Sequence, residues 1–516
     1  MEATQPGPGP SPRGSPPGPG RRSRALAVLL VVAGVGAVVA AVGALVNRDG
    51  GGRPAGPRVI SVPASLPADC SRPVEQDINR VIRDAPPNSI VTFPAGGCYA
   101  HDGSLVVTDK ADLTLDGNGA TFKAVTPGDT CRANWRITGG RNITLRNMTV
   151  RGVNDRGFDA DRWPDYRSQC QHGYSFDSVQ GARLLDSRSF DTVGDALAVG
   201  PDLRPRDFCV VPPSRDILVD RFHGFNAGRT VSITHGDGVT IQNSYFGDIF
   251  DNAIDLETDD DCMSSRNVRI LNNRFGRYHY AMVAYTGAEE AGRGGGLEVT
   301  GNVVEAEPST CYPAVYIKPG TDDIRRNNFL IRDNQLRTSS DGIAISQAVH
   351  VRIEGNTVAK NSGGCGIDST AVVRVERSDH VNVHGNRGIG GERGGFGRDL
   401  AMDAASTNVT QVPREALGPF PPLPEPDDAP PTVAIASPAD GSKVSGTVPV
   451  KATASGDNLR RAEFRIDGSV VKTDNGPSYD YMWDTATVGK GPHTLTVTLY
   501  NSFGKSASTT ITVSVE

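Results

Sequence analysis

The sequence predicts an all-β chain: one long coil of stacked parallel strands, then a small β-sandwich, with a single apolar helix near the N-terminus. Three observations carry this. A short strand-like phrase returns ten times between residues 112 and 388, and no helical pattern separates the copies. Residues 25–46 are uncharged. After a Pro-rich stretch, residues 431–516 alternate apolar and polar positions and contain no cysteine.

The phrase reads "LTLDGNGA", "ITLRNMTV", "RLLDSRSF", "DILVDRF", "VTIQNSYF", "VRILNNRF", "LEVTGNVV", "FLIRDNQL", "VRIEGNTV" and "VNVHGNRG". Its anchoring apolar residues are Leu115, Leu145, Leu185, Ile217, Ile241, Ile270, Val299, Ile331, Ile353 and Val383, spaced by 22 to 40 residues. Eight of the ten copies carry Asn or Gly after the alternating run, which is strand followed by turn. Strands repeating at this step without helices bury their apolar sides only by stacking into a coil. At about 4.8 Å per rung, about ten rungs make a rod roughly 48 Å long. Five later rungs place an Asn three residues after the anchor: Asn273, Asn302, Asn334, Asn356 and Asn386. Stacked Asn side chains can hydrogen-bond from rung to rung, so a structural role is expected for them.

These repeats resemble those of right-handed parallel β-helix proteins, the pectin-lyase-like superfamily. Residues 73–122 add to the likeness: "PVEQDINRVIRDAP" has an amphipathic helical pattern, followed by "SIVTFPAGGCY" and "LTLDGNGATF". That order resembles the superfamily's N-terminal helical cap and first rungs. The resemblance covers about 320 residues and implies the fold. It does not imply one activity, because many functions share this scaffold. The closing strands, with "SPADGSKVSGTVPVKATA", "EFRIDG" and "WDTATVGKGPHTLTV", resemble bacterial Ig-like modules, with Trp483 in the core.

The expected layout follows. Residues 1–24 are a Pro/Gly/Ser-rich cytoplasmic tail, 25–46 a transmembrane anchor and 47–68 a linker. Residues 69–411 are the β-helix domain, 412–430 a Pro-rich linker and 431–516 the Ig-like domain. A helix of the 22 residues Ala25 to Val46 would be about 33 Å long, enough for a bilayer core of about 30 Å. Arg21, Arg22 and Arg24 precede it, so that end stays cytoplasmic and the bulk is extracellular. A signal peptide cleaved near Val42–Ala44 is the alternative, and it also implies export. Eight cysteines, all in the exported part and none in a CxxC pair, point to disulfides. A net charge of −6 argues against nucleic acid as a partner. The expected partners are an acidic polysaccharide or cell-wall glycan and, through the helix, a membrane. A monomer is expected.

Each rung carries a second strand upstream of the phrase. Aligned, these read Y-S-F-D (174–177), A-L-A-V (196–199), V-S-I-T (231–234), I-D-L-E (254–257), M-V-A-Y (282–285), V-Y-I-K (315–318), I-A-I-S (343–346) and I-D-S-T (367–370). Successive residues of a strand face opposite sides. With the first and third residues in the bore, Asp255, Glu257, Tyr285, Tyr316 and Lys318 face out. His172, Arg229 and Tyr280 precede their strands and would line the same face, walled by the Arg151–Gln171 insertion with Trp163. Aromatic faces suit sugar rings and cations suit carboxylates.

On the β-helix resemblance, three chemistries are open. In lyases of this fold, acidic strand residues often hold calcium, which neutralises the substrate uronate, and Lys or Arg is often the base. Carried onto this chain, Asp255, Glu257 and Asp259 would bind Ca²⁺ as hard oxygen ligands, and Lys318 or Tyr285 would take the proton. An inverting hydrolase would instead pair Asp255 with Glu257. The "DDC" at Asp260–Cys262 resembles that of polygalacturonases, but the companion "GHG" and "RIK" are missing. An epimerase shares the lyase's first step. A non-catalytic surface protein that binds glycan is the remaining reading.

Overall fold

The computed structural model describes residues 56–516, apart from 127–131, 155–169, 202–210, 259–262, 288–293, 306–310, 319–325, 361–369, 391–395, 413–429, 457–458, 475–478 and 502–505. The expected anchor, Trp163 and Asp259 all lie outside the described residues. Among the described residues, no helix is long and apolar enough to cross a membrane.

From Arg58 to Val412 the chain winds as a parallel β-helix. One sheet holds eleven strands, in sequence order from Leu105–Thr108 to Arg398–Met402, and every pairing in it is parallel. A 23-stranded parallel sheet forms the remaining faces. A helix, α1 (Glu75–Asp84), stands at the N-terminal end with Ile78 and Ile82 buried. Beside it Cys70 and Cys98 form a disulfide, and Cys170 and Cys311 are also disulfide-bonded.

The anchors of the repeat stack in one apolar column: Leu115, Leu145, Leu184, Val219, Ile241, Ile270, Val299, Ile331, Ile353 and Val383. Two differ from the sequence expectation. Leu184 replaces Leu185, which pairs with Arg146, and Val219 replaces Ile217. In "ARLLDS" apolar residues occupy both parities, so alternation alone does not fix which face is inside, whereas Ile217 and Val219 share the inner face and both are buried, so alternation does not say which of them is the anchor.

The Asn column is a buried ladder. Asn273 Nδ2 donates to Asn302 Oδ1 (3.0 Å), Asn302 to Asn334 (2.9 Å), Asn334 to Asn356 (2.8 Å) and Asn356 to Asn386 (2.8 Å). Each Nδ2 also reaches a backbone carbonyl, and each Oδ1 from Asn302 onward accepts the backbone N–H of the Asn one rung earlier, while Asn273 Oδ1 accepts that of Ser244. Asn334→Leu therefore strands Asn302's backbone N–H, one amide hydrogen and the Val299 carbonyl. At about 1–3 kcal/mol per buried unsatisfied group, the expected loss is about 3 kcal/mol or more. Asn386→Leu, at the half-buried end of the ladder, is expected to cost less. Denaturant unfolding of the two variants checks the order.

Residues 431–516 form a three-stranded and a five-stranded sheet around Val450, Phe464, Trp483, Leu495 and Val497. Trp483 is in the core, as its pattern predicts.

Candidate active-site groove

Backbone register decides what the eleven-stranded sheet presents. Ser232, Asp255, Ala284, Tyr316, Ala344 and Arg374 lie side by side on successive strands. One column inward of the coil, Ile233, Leu256, Tyr285, Ile317, Ile345 and Val375 align. Tyr285 therefore faces the bore and is fully buried. Its hydroxyl donates to the Ser265 carbonyl and accepts from Gly295 N–H, and its ring packs under Arg326. The expected catalytic role of Tyr285 is ruled out by burial, and Thr286 stands in the outward column between Glu257 and Lys318. "MVAY" is apolar at both parities, which hid the one-residue slip. The same slip affects "ALAV", where Leu197 and Val199 are the inward residues. After Ile343–Ser346 the next strand of the sheet is Ala371–Glu376, so Arg374 and Glu376 replace Asp368 and Thr370.

Two adjoining cavities of about 470 and 400 Å³ lie along this sheet and share Tyr312, Tyr316 and Lys318. Asp251, Asn252, Glu257 and Tyr280 line the first. Asp341, Arg374, Glu376 and Arg377 line the second. The tyrosines meet edge to face: Tyr280 and Tyr312 have centroids 5.0 Å apart, Tyr312 and Tyr316 6.2 Å apart. Tyr312, 42% exposed, stands between the two cavities. Burial raises the pKa of Tyr280 and of Tyr316. Asp251 and Tyr312 push Tyr280 further up, and Tyr312 and Glu376 do so for Tyr316. Both phenols therefore keep their protons at neutral pH. Among the described residues Lys318 is the lining cation with no carboxylate partner, while Asp341 holds Arg374 in a two-point pair (2.7 and 3.2 Å).

Under the first cavity lies a charge cluster centred on Arg229. Its Nε donates to Asp195 Oδ1 (3.0 Å), and its Nη1 to both Asp255 Oδ2 (3.4 Å) and Glu257 Oε2 (2.8 Å). Asn252 Nδ2 also donates to Asp255 Oδ2 (3.1 Å). Ser232 Oγ donates to Asp195, and His172 Nδ1 accepts the Asp195 backbone N–H (3.0 Å). Asp195, Arg229 and Asn252 each sit two residues before their strands, so they share one column. His172 and Arg229, expected to touch substrate, are instead beneath the groove: His172 is buried and Arg229 is 14% exposed. Asp255 turns away from the bore, but at 3% exposure it does not meet solvent. Glu257, with 46% of its side chain exposed, does.

Four carboxylates surround one guanidinium, so the cluster retains protons. Burial pushes Asp255 up to about 7. Arg229 opposes the rise, and Glu257 and Asp251 add to it. Burial likewise raises Asp251. An acid whose folded value lies above its unfolded one stabilises the fold at low pH and loses that contribution as pH rises. Between pH 3.8, the ordinary value, and about 7, the Asp255 contribution is therefore expected to decline. Asp255→Asn mimics the protonated form. The variant's thermal midpoint should gain on the native one as pH rises from about 4 to about 7, read by melting across that range. A constant difference would contradict the assignment.

Two expectations about this pair change. Asp255 Oδ2 and Glu257 Oε2 bond the same nitrogen at 3.4 and 2.8 Å, so they lie within about 6.2 Å of one another. An inverting pair needs both carboxylates to face the substrate, and Asp255, at 3% exposure, lines neither cavity. Nor do Asp255 and Glu257 fit a calcium ion. The cation they share is the Arg229 guanidinium, and Asp255, at 3% exposure, is closed off from the groove, whereas a calcium ion needs about six to eight accessible oxygen ligands. Among the described residues, no group of three or more His, Cys, Asp or Glu is disposed to hold a metal.

Fold and groove together define the class: a parallel β-helix with a groove along one sheet, followed by an Ig-like module. Residues 431–497 match the family model for the bacterial Ig domain. A search of curated proteins found no match. Several solved structures are similar over the coil. The A-module of a mannuronan C-5 epimerase from Azotobacter vinelandii aligns at 13% identity and a TM-score of 0.38, covering 67% of this chain and 97% of that one. An alginate lyase from Paenibacillus sp. aligns at 11% and 0.34, covering 68% and 99%. The pre-mature gene product 12 of bacteriophage phi29 aligns at 15% and 0.41, covering 75% of this chain and 60% of that one. The chain thus spans less than two thirds of the phage protein. These likenesses assign no role to any residue here.

Sequence reasoning missed Asp195, Asp251, Tyr312 and Arg374. Asp195 would have followed from the correct register of Leu197, since Arg229 and Asn252 occupy the same place in later rungs. Tyr312 lies before its strand, where no periodicity applies.

Proposed function

We propose that this chain is an exported, carbohydrate-active protein that holds an acidic polysaccharide in the groove and cleaves it by β-elimination. The observation that carries the reading is the convergence of three tyrosines, the unpaired Lys318 and the half-exposed Glu257 on one groove. The tyrosine faces and edges offer apolar platforms for sugar rings. Lys318 pairs with a uronate carboxylate, which acidifies the neighbouring C–H. Glu257, held by Arg229, accepts that proton. The C–H electron pair becomes the new C=C bond, the adjacent C–O bond breaks, and the departing oxygen takes a proton from Tyr316. The raised pKa of Tyr316 keeps its proton on, so it is available to donate rather than to abstract. Disulfides such as Cys70–Cys98 support an oxidising, exported setting, with residues 25–46 as the anchor.

Incubating the full chain with pectate, alginate and glycosaminoglycans tests this. Ultraviolet absorbance from the unsaturated uronate should rise, and Glu257→Gln should slow the rise by about 100-fold or more. Flat traces with every polymer, together with retention of one of them, would favour a glycan-binding protein instead. Tyr312→Ala is expected to weaken binding about fivefold to tenfold, an effect of about 1 kcal/mol for a lost aromatic platform. It should shift the unfolding midpoint little, because the residue is 42% exposed and its ring contacts are with the other groove tyrosines. Affinity electrophoresis and melting together check it.

A further inference from the structure

The groove is not symmetric about its reactive groups. Glu257 lines only the first cavity, whereas Tyr316 and Lys318 line both. Glu257, Thr286 and Lys318 follow the aligned residues Leu256, Tyr285 and Ile317, so Glu257 and Lys318 stand two rungs apart. Their backbones are therefore about 9–10 Å apart, with Ala284 and Thr286 as the floor between them. That interval holds one sugar ring, with its carboxylate at Lys318 and its acidified C–H facing Glu257. Beyond Lys318 and Tyr316 the next rung carries Ala344 and Ser346, small residues that floor the second cavity. The Asp341–Arg374 pair and Ser340 line it as well, and they offer donors and acceptors to sugar hydroxyls.

Elimination breaks the chain on one side of the reacting ring only. The C–H electron pair becomes the C=C bond, the C–O bond on the next carbon breaks, and the oxygen leaves with the Tyr316 proton. In a polymer linked through that oxygen, it leaves as the end of the chain on the non-reducing side. We infer that the polymer lies in the groove in one direction. The reacting uronate sits over the Thr286 rung, its non-reducing neighbours pass Tyr316 into the second cavity, and its reducing-end neighbours extend past Glu257. A ring turned around in the first cavity would point the departing oxygen away from Tyr316. A ring moved into the second cavity, onto the rung of Ser346, would lie three rungs from Glu257. The inference rests on the elimination proposed above.

The test uses an oligosaccharide of defined length, labelled at its reducing end, from a polymer that the full chain cleaves. Ser346→Trp fills the second cavity, and melting checks that the variant folds. With less room for the departing chain, the cut should move toward the non-reducing end. The labelled unsaturated fragment should lengthen by about one unit, the ring displaced from one rung. Ser346→Leu, a smaller obstruction, gives the same reading where the Trp variant turns over too slowly. A shorter labelled fragment would reverse the direction, and an unchanged pattern would take the departing chain out of the second cavity. Either result, or no cleavage by either folded variant, would overturn the inference and leave elimination by the native chain standing. No cleavage of any polymer by the native chain would overturn both.

Discussion

Replacing Arg229 by Ala is expected to cost about 3–5 kcal/mol of stability, the usual effect of removing one member of a buried ion pair. The residue bonds three carboxylates, and Asp195 and Asp255 are almost fully buried. Without the guanidinium they face one another across a few ångströms with Asn252 and Ser232 as the remaining donors. The carboxyls would take up further protons, so the loss should be larger at pH 8 than at pH 5. Arg229→Lys should recover only part of it, because an ammonium cannot span Asp195 on one side and Asp255 with Glu257 on the other. Denaturant unfolding at the two pH values checks both statements. A change below about 1 kcal/mol at pH 8 would mean that the cluster is solvated and that its carboxylates do not depend on Arg229.

The second large effect is on activity. Lys318→Ala should lower kcat/KM on an acidic polysaccharide by about 1,000-fold, equivalent to about 4 kcal/mol of transition-state stabilisation, because the charge develops where the ammonium sits. Lys318 is exposed, so the variant should fold and melt like the native chain. Lys318→Arg should restore binding better than turnover, since a guanidinium reaches the carboxylate with different geometry. Steady-state kinetics beside thermal melting separates these outcomes. A loss of stability in place of a loss of rate would remove Lys318 from the site.

The coil was legible in the sequence because its signal repeats. Ten strand-like phrases, eight of them followed by Asn or Gly, leave few other ways to bury the apolar side, and the Asn ladder follows from the same spacing. Strand polarity was legible where one parity is polar: "IDLE" placed Ile254 and Leu256 inside and Asp255 and Glu257 outside. It failed where both parities are apolar, as in "MVAY" and "ALAV". The site was only partly legible for a different reason. Sequence gives the side of the sheet a residue faces, not what covers it. Asp255 faces out, yet Arg229 and Asn252 close over it, and a presumed ligand pair became the acidic half of a salt-bridge cluster. Lys318, Tyr316, Tyr280 and Glu257 kept their places because each lines the groove with part of its side chain open to it. Asp195 and Asp251 entered through register and burial, neither of which is written in local composition.

The central claim is that side chains of this groove, with Lys318 as the neutralising cation, drive elimination on an acidic polysaccharide. The most direct measurement is the ultraviolet time course of the full chain on a uronate-containing polymer in excess chelator, beside a calcium-supplemented sample. The account predicts the same rise in both. A rise that appears only with calcium would contradict the assignment of the neutralising charge to Lys318, and no rise in either would contradict the elimination itself.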